Sequence, residues 1–272
     1  MLGIKQAFPP IFFVAVVTAI AAVMIFIWAA KKGQLRVWKS TGLKPMLWAT
    51  LLISVAFYSL LFTGLKYTTA GNASLLMMSE VAYTFVVMHF INHERYNRIA
   101  VKGALLMMLG AVLVIFPGTF VPNWGDLIIL GACALPPMGN YFQKQARKTL
   151  TSTQMLLIRS VLGAVFLFAL SAVLEGNLIG NFQLVQPYWW LLAMFAFVCF
   201  VLNKIFFFES MHRLPIALTI AVTICLLPVF TIVLAYFILG EVPTWWQIGG
   251  LVPLCMGVWL VLFKKDIFRV IE

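Results

Sequence analysis

The sequence predicts an all-α polytopic membrane protein with an inverted structural repeat of four plus five transmembrane helices. Composition is the first observation behind this prediction. The chain has 272 residues, of which 63% are hydrophobic and 10% are charged, and its mean hydropathy is +1.03. A soluble domain carries about 25% charged residues, and a globule of this size cannot bury so many apolar side chains. The other two observations are apolar runs of membrane-spanning length and a set of matched residue spacings.

Nine apolar runs are long enough to cross a bilayer, which takes about 20 apolar residues in a helix. The predicted spans lie at 8–30, 46–66, 70–91, 100–117, 124–142, 152–174, 188–208, 214–239 and 245–263. Run length and the lack of alternation favour helices over the strands of a membrane barrel. All four cysteines fall inside these spans, and we interpret them as buried small hydrophobic residues. They are Cys133, Cys199, Cys225 and Cys255.

Positive charge is concentrated in alternate loops, and this predicts the orientation of the chain. One side holds 15 of the 19 Lys and Arg residues, in the loops near 31–44, 95–102, 144–148, 213 and 264–269. Cytoplasmic loops carry such an excess, so this side is expected to be cytoplasmic, with the C-terminus inside and the N-terminus outside. The net charge of +11 therefore reflects topology and contact with the lipid bilayer, and it does not call for a nucleic-acid partner.

Two stretches of the chain share one set of spacings. Intervals of nine, seven and six residues separate Glu94, Gly103, Gly110 and Phe116, and the same intervals separate Glu241, Gly250, Gly257 and Phe263. The predicted topology places Glu94 on the cytoplasmic side and Glu241 on the outer side. The copies therefore run in opposite directions, as inverted repeats do. We predict an N-terminal repeat of four helices at 1–120 and a C-terminal repeat of five helices at 121–272, with the glycines in helix packing.

Three short stretches carry a family resemblance: residues 64–76 (GLKYTTAGNASLL), residues 92–95 (NHER) and residues 237–241 (FILGE). Through them the sequence resembles the EamA family of the drug/metabolite transporter (DMT) superfamily. The resemblance implies ten helices in two inverted five-helix repeats around a central cavity, with both termini cytoplasmic. This sequence has four spans in its first half, so we expect a ten-helix DMT fold that lacks its first helix, with residues 1–5 resembling the end of that helix.

Glu80 is the most informative polar residue because it lies near the middle of the predicted span 70–91. A carboxyl group at membrane depth is costly and marks a candidate functional site. We interpret it as a proton-coupling site or as a counter-ion for a cationic substrate. The alternative is a protonated, hydrogen-bonded carboxyl group that fixes helix packing. Pro228 aligns roughly with Glu80 in the other repeat and predicts either a functional bend or a plain packing kink.

Pro136 and Pro137 predict an interruption of the span 124–142, because proline removes a backbone donor and bends a helix. Asn140 and Tyr141 follow them and could offer hydrogen bonds to a substrate. Tyr141 could equally anchor the helix at the membrane interface.

Tyr58, Tyr83 and Arg159 complete the predicted substrate-binding or proton-binding residues. The two tyrosines could form part of an aromatic wall that receives a cation on its ring face, although single aromatic residues often face lipid. Arg159 lies one to two turns inside its span, and we expect it to extend to the cytoplasmic interface. An ion pair or a contact with an anion is the alternative.

Motifs for enzymatic chemistry are absent from the sequence. The three histidines, His89, His93 and His212, all lie near the predicted cytoplasmic interface. His89 and His93 are four residues apart, but no third metal ligand converges on them. A phosphate-binding Walker loop, a dinucleotide fingerprint and a nucleophile elbow do not occur. We therefore predict no catalytic residue, no cofactor and no metal site, and this chain alone is not an ATP-driven pump.

The residues and the resemblance together predict a secondary active transporter that exports small molecules by alternating access. The expected substrate is a metabolite, an amino acid or a cationic drug-like compound, with protons as a candidate coupling ion at Glu80. A homodimer is a further candidate partner, and the expected location is the bacterial inner (plasma) membrane. The alternatives are an uncoupled facilitative transporter of the same fold, an integral-membrane enzyme and a non-transporting membrane subunit.

Overall fold

The computed structural model describes residues 9–35, 40–92, 98–115, 123–203, 205–206 and 230–263. Within these ranges all of the regular secondary structure is helical. The helices are α1 (Pro10–Lys31), α2 (Leu43–Gly64), α3 (Ala70–Met77), α4 (Ser79–Asn92), α5 (Arg98–Ile115), α6 (Trp124–Ala132), α7 (Leu135–Ala146), α8 (Ser152–Leu174), α9 (Leu178–Val185), α10 (Trp189–Phe195) and α11 (Trp245–Phe263). The helices α1, α2 and α8, together with the continuous stretch Gly180–Leu202, are long and apolar enough to cross a membrane. The predicted all-α membrane protein is confirmed.

Local sequence explains where several helices begin. Helix α2 starts at Leu43, three residues before the predicted span, because Pro45 is acceptable in a first helical turn, whose N–H groups have no intrahelical partner. Helix α8 starts at Ser152, as predicted, because Thr151 and Gln154 form a reciprocal capping box. Most of the predicted span 214–239, including Pro228, lies outside the described residues, and its end is a π-helical turn at Ala235–Leu239.

Two of the predicted spans are each divided into two helices. The span 70–91 is interrupted at Met78, between α3 and α4, and the span 124–142 is interrupted at Cys133 and Ala134, between α6 and α7. Pro136 and Pro137 lie in the first turn of α7, where a missing backbone N–H costs nothing. The interruption that the two prolines predict is therefore confirmed, and the break at Met78 is new.

The chain folds into two compact units, and each combines segments from both halves of the sequence. Unit 1 contains 1–66 and 138–213, and therefore α1, α2, most of α7, and α8 to α10. Unit 2 contains 67–137 and 214–272, and therefore α3 to α6 and α11. The predicted boundary at 120/121 separates two sequence repeats, whereas the two units are defined by how compactly their residues pack. The boundary between the repeats therefore stays a prediction.

Helices α1, α2 and α8 pack closely in unit 1 around Gly163. A Cβ atom at Gly163 would lie 3.2 Å from the Cβ of Ser54 and 3.6 Å from the Cγ2 of Thr18. The C-terminal end of α8 is also joined to the start of α1 by hydrogen bonds. The carboxylate of Glu175 accepts the backbone N–H groups of Ile11 at 2.8 Å and Phe12 at 2.7 Å. These N–H groups have no partner within their own helix, so Glu175 acts as the cap of α1.

Helices α5 and α11 cross at glycines in unit 2. A Cβ atom on Gly110 would lie 2.8 Å from the carbonyl oxygen of Gly250, and one on Gly257 would lie 2.5 Å from the carbonyl oxygen of Gly103. The earlier glycine of α5 thus meets the later glycine of α11, which makes the two helices antiparallel. The predicted packing role of these glycines is confirmed, because only a hydrogen atom fits at such contacts.

The interpretation of the cysteines is correct for Cys133, which is fully buried, and wrong for two others. Cys199 and Cys255 are exposed on the surfaces of their helices. An apolar exterior is what a membrane-spanning helix requires, so an apolar run does not separate the core face from the lipid face. Cys225 lies outside the described residues.

Candidate functional site

At the break between α3 and α4, inside the predicted span 70–91, two side chains approach the backbone carbonyl of Leu76 in addition to the backbone N–H that caps α3. The carbonyl of Leu76 accepts a hydrogen bond from the Ser79 hydroxyl at 2.6 Å, and the Cys133 thiol approaches the same oxygen at 3.7 Å. A backbone group at this depth needs a partner within the protein, because lipid supplies none. Cys133 lies in the second break, so the two interrupted helices meet at this carbonyl.

Glu80 lies in the first turn of α4, directly after the break. Its side chain is half-buried, and its backbone carbonyl accepts the hydroxyl of Thr84 at 2.8 Å. Tyr83 follows Glu80 by three residues, about one turn along α4, and its side chain is also half-buried, while the Cys133 thiol reaches the Leu76 carbonyl at the end of α3. The structure therefore brings two predicted site residues, Glu80 and Tyr83, together with Ser79 and Cys133. We call these four residues the break site.

Arg159 belongs to unit 1 and is buried, with 5% of its surface exposed. Its Nε donates a hydrogen bond to the Ser54 hydroxyl at 2.9 Å. The expectation that Arg159 extends to the interface is therefore wrong. The physical reason is the hydroxyl of Ser54 on α2, which offers the guanidinium an acceptor inside the unit, so the side chain turns inward. The alternative contact with an anion stays a prediction.

The remaining predicted site residues also lie in unit 1. The ring of Tyr58 is 5.2 Å from that of Phe57 and 5.5 Å from that of Phe200, between centroids. Asn140 and Tyr141 are half-buried on α7, within two turns of the break. The structure thus separates the predicted residues into Glu80 and Tyr83 in one unit and Tyr58, Asn140, Tyr141 and Arg159 in the other.

Unit 2 also contains a polar network that the sequence did not reveal. Asp126 has 1% of its surface exposed, and its carboxylate accepts hydrogen bonds from the Thr68 hydroxyl and from Asn72 Nδ2, the latter at 3.1 Å. Gln247 Nε2 in turn donates to Asn72 Oδ1 at 2.6 Å and to Thr69 Oγ1 at 3.3 Å. The network joins the first turns of α3, α6 and α11.

Sequence signals for this network exist. Thr69 and Asn72, and likewise Thr244 and Gln247, stand three residues apart at the starts of apolar runs, which is the spacing of helix caps. The hydroxyl of Thr69 does accept the Asn72 N–H at 3.1 Å. Cap patterns locate the helix starts, but they do not show that the caps of separate helices share one buried carboxylate.

An all-α membrane protein with interrupted helices that meet beside a carboxyl group has the architecture of many secondary transporters. The comparison with protein families agrees. The model of the EamA-like transporter family matches residues 2–116 and 123–263, and the chain belongs to this family. The family consists of transporters, so the protein is an integral membrane transporter and not an enzyme.

Curated relatives carry transporter names. The chain is 27% identical over 248 residues to the uncharacterised transporter YyaM of Bacillus subtilis, covering 87% of this chain and 77% of that protein. It is 27% identical over 221 residues to an uncharacterised transporter of Archaeoglobus fulgidus, covering 76% and 72% of the two chains. It is 25% identical over 235 residues to a probable amino-acid metabolite efflux pump of Salmonella typhimurium, covering 80% and 76%.

A solved structure shows the same fold. A protein of known crystal structure aligns with a TM-score of 0.63 over 95% of this chain and 88% of its own length, at 14% identity. Such a likeness concerns the course of the backbone alone.

Proposed function

We propose that the protein is a secondary transporter that exports a small molecule by alternating access, driven by protons that bind at Glu80. The observation that carries this proposal is the break site. Glu80 is a half-buried carboxyl group in the first turn after a helix interruption, one turn before Tyr83, and the Leu76 carbonyl at the interruption also contacts Cys133. A titratable group at such a place can exist in two charge states during a transport cycle.

The chemistry of the break site supports two alternating states. A protonated carboxyl group is neutral and tolerates a dry surrounding, whereas an ionised one needs water, a cation or hydrogen-bond donors. Release of the proton therefore favours a conformation in which Glu80 meets a cationic group of the substrate or water. The interrupted backbone of α3 and α4 offers a place for such a change, because its hydrogen bonds already depend on Ser79 and Cys133.

Arg159 supports a substrate that also carries an anionic group. The guanidinium of Arg159 is a fixed positive charge that is buried inside unit 1, where it donates a hydrogen bond to Ser54. An amino acid carries a carboxylate, the kind of group that a guanidinium binds, together with an amine. The name of the Salmonella typhimurium relative, an amino-acid metabolite efflux pump, favours the same class of substrate.

The test begins with thermal unfolding of the purified protein in the presence of amino acids and their derivatives, one at a time. The compound that raises the unfolding temperature most is then used, radiolabelled, in proteoliposomes with an imposed pH gradient. We expect the gradient to accelerate transport by the wild type. We expect Glu80→Gln, which keeps the size of the side chain and removes its titration, to lose this acceleration.

Glu241→Gln is the matched control, because it is the same chemical change at a half-buried residue beyond the end of its helix. We expect it to retain the response to the pH gradient. Transport by Glu80→Gln that still follows the gradient would contradict the coupling role of Glu80. Transport by the wild type that ignores the gradient would instead indicate an uncoupled facilitative transporter.

A further inference from the structure

Unit 1 contains a cavity of 530 Å³, and none of the described residues that line it belongs to the break site. It is at the ends of α1 and α8 that the charge distribution predicts to be cytoplasmic. Three positive side chains line it: Lys32, Arg147 and Lys148. The twelve described residues that form its lining include no Asp or Glu. A concave site whose described lining carries three positive side chains favours an anion.

The geometry of the lining adds to this preference. The ammonium group of Lys32 is 4.0 Å from the ring centroid of Trp28, so the aromatic ring holds the charge at the edge of the cavity. The first turn of α8, a helix of 23 residues, contributes Thr151, Ser152 and Thr153 to the lining. The positive end of the helix dipole therefore faces the same cavity as the three basic side chains.

The rest of the lining is apolar. Leu150 and Leu156 are buried, and Ile205 is half-buried, and all three belong to the wall of the cavity. A cavity that is basic on one side and apolar on the other, at the end of membrane-spanning helices, matches the boundary between a phosphate headgroup and its acyl chains. Basic pockets between transmembrane helices on the cytoplasmic side are known sites for anionic lipid headgroups.

We propose that this cavity binds a phosphate-bearing anion, and that the occupant in the cell is the phosphodiester headgroup of an anionic phospholipid. Lys32, Arg147 and Lys148 neutralise the phosphate, the first turn of α8 faces it, and the apolar wall accepts the beginning of an acyl chain. The lipid then joins the ends of α1 and α8 with the loop before α8. This site is independent of the substrate and of the coupling ion, so its test does not depend on either.

The test measures lipid binding to the full chain by native mass spectrometry in detergent, with phosphatidylglycerol and phosphatidylcholine as probes. We expect the wild type to bind one phosphatidylglycerol at least tenfold more tightly than phosphatidylcholine. The double variant Lys32→Gln, Lys148→Gln removes two exposed side chains of the cavity. We expect it to bind phosphatidylglycerol roughly 30-fold more weakly, from the usual contribution of a basic residue near an anionic lipid.

The matched control is Lys44→Gln, Lys102→Gln, which removes the same charge from two exposed residues outside the cavity. It is expected to retain the affinity of the wild type. Titration with inorganic phosphate distinguishes the sources of the anion. Phosphate that binds without lipid, and with the same loss in the cavity variant, would support the phosphate site and assign it to a soluble ligand. Equal binding of the two lipids without such phosphate binding, or equal losses in both double variants, would overturn the proposal.

Discussion

Glu175 shows what a charged side chain at the end of a helix contributes to the fold. Its carboxylate holds two backbone N–H groups of α1 and the hydroxyl of Ser171, the latter at 2.9 Å. A backbone donor at the start of a transmembrane helix is costly when it has no acceptor. The side chain at the end of one helix therefore determines whether another helix can begin where it does.

Replacement of Glu175 by Gln is expected to destabilise the protein by about 1–3 kcal/mol. The glutamine keeps one acceptor oxygen and places an amide donor where the second oxygen was. One of the N–H groups of Ile11 and Phe12 would then face a donor instead of an acceptor. Thermal unfolding in detergent measures the loss.

Ser171→Ala is the control for this prediction, because it removes the third hydrogen bond of Glu175 and leaves the cap of α1 intact. It is expected to cost about 1 kcal/mol or less. If Glu175→Gln costs no more than Ser171→Ala, the two backbone hydrogen bonds contribute nothing to stability and the capping role is wrong.

At the scale of the helices, close packing of α5 against α11 depends on glycines with no room for a side chain. A Cβ atom on Gly110 would lie 2.7 Å from Leu254 Cγ and 2.8 Å from the carbonyl oxygen of Gly250. The carbonyl oxygen belongs to the backbone, so it cannot move away without separating the two helices. The contact is therefore specific to glycine and not merely to a small residue.

Replacement of Gly110 by Ala is expected to destabilise the protein by about 1–3 kcal/mol, the usual range for overpacking. Gly249→Ala on α11 is the matched control, because a Cβ atom there meets no atom within 4 Å. Alanine has the higher helix propensity, so this control is expected to be neutral or to stabilise by up to about 1 kcal/mol. Equal effects of the two substitutions on the unfolding temperature would contradict the packing role of Gly110.

A helix boundary can be predicted from the sequence when the residues that determine it are neighbours in the chain. The capping box of Thr151 and Gln154 and the prolines after the second break are local signals, and the predicted start of the span at 152 and the predicted interruption at Pro136 and Pro137 both agree with the structure. The break at Met78 has no proline or glycine beside it. The residues found at this break are Ser79, whose hydroxyl donates to the Leu76 carbonyl, and Cys133, whose thiol approaches the same oxygen from a distant part of the chain.

The candidate site follows the same distinction. Glu80 could be identified as a candidate site residue from the sequence, because a carboxyl group inside a membrane span is costly whichever face of the helix it lies on. The prediction that the Arg159 side chain extends to the interface was wrong, because its direction depends on a hydrogen bond to Ser54, which is 105 residues away in the sequence. Asp126 was missed because its partners Thr68 and Asn72 precede it by more than fifty residues.

At the scale of the whole molecule, both compact units take helices from the two halves of the sequence. The chain passes from unit 2 to unit 1 directly after Pro137, a few residues beyond the break at Cys133 and Ala134. Fully buried Cys133 is therefore close in sequence to a junction between units, and it is also part of the break site. Its thiol can therefore be used to test the proposed alternating access.

Alternating access requires that water reach Glu80 from each side of the membrane in turn, and the neighbouring Cys133 should then become reachable as well. In a variant with Cys199, Cys225 and Cys255 replaced by alanine, we expect membrane-impermeant thiol reagents to label Cys133 from either side. Substrate is expected to change the two labelling rates in opposite directions, since it shifts the populations of the two states. Cys255 as the single cysteine is the control, because it is exposed near the middle of the apolar helix α11, and we expect lipid to keep a charged reagent away from it. Labelling of Cys133 from one side only, whatever the substrate concentration, would contradict alternating access at the break site.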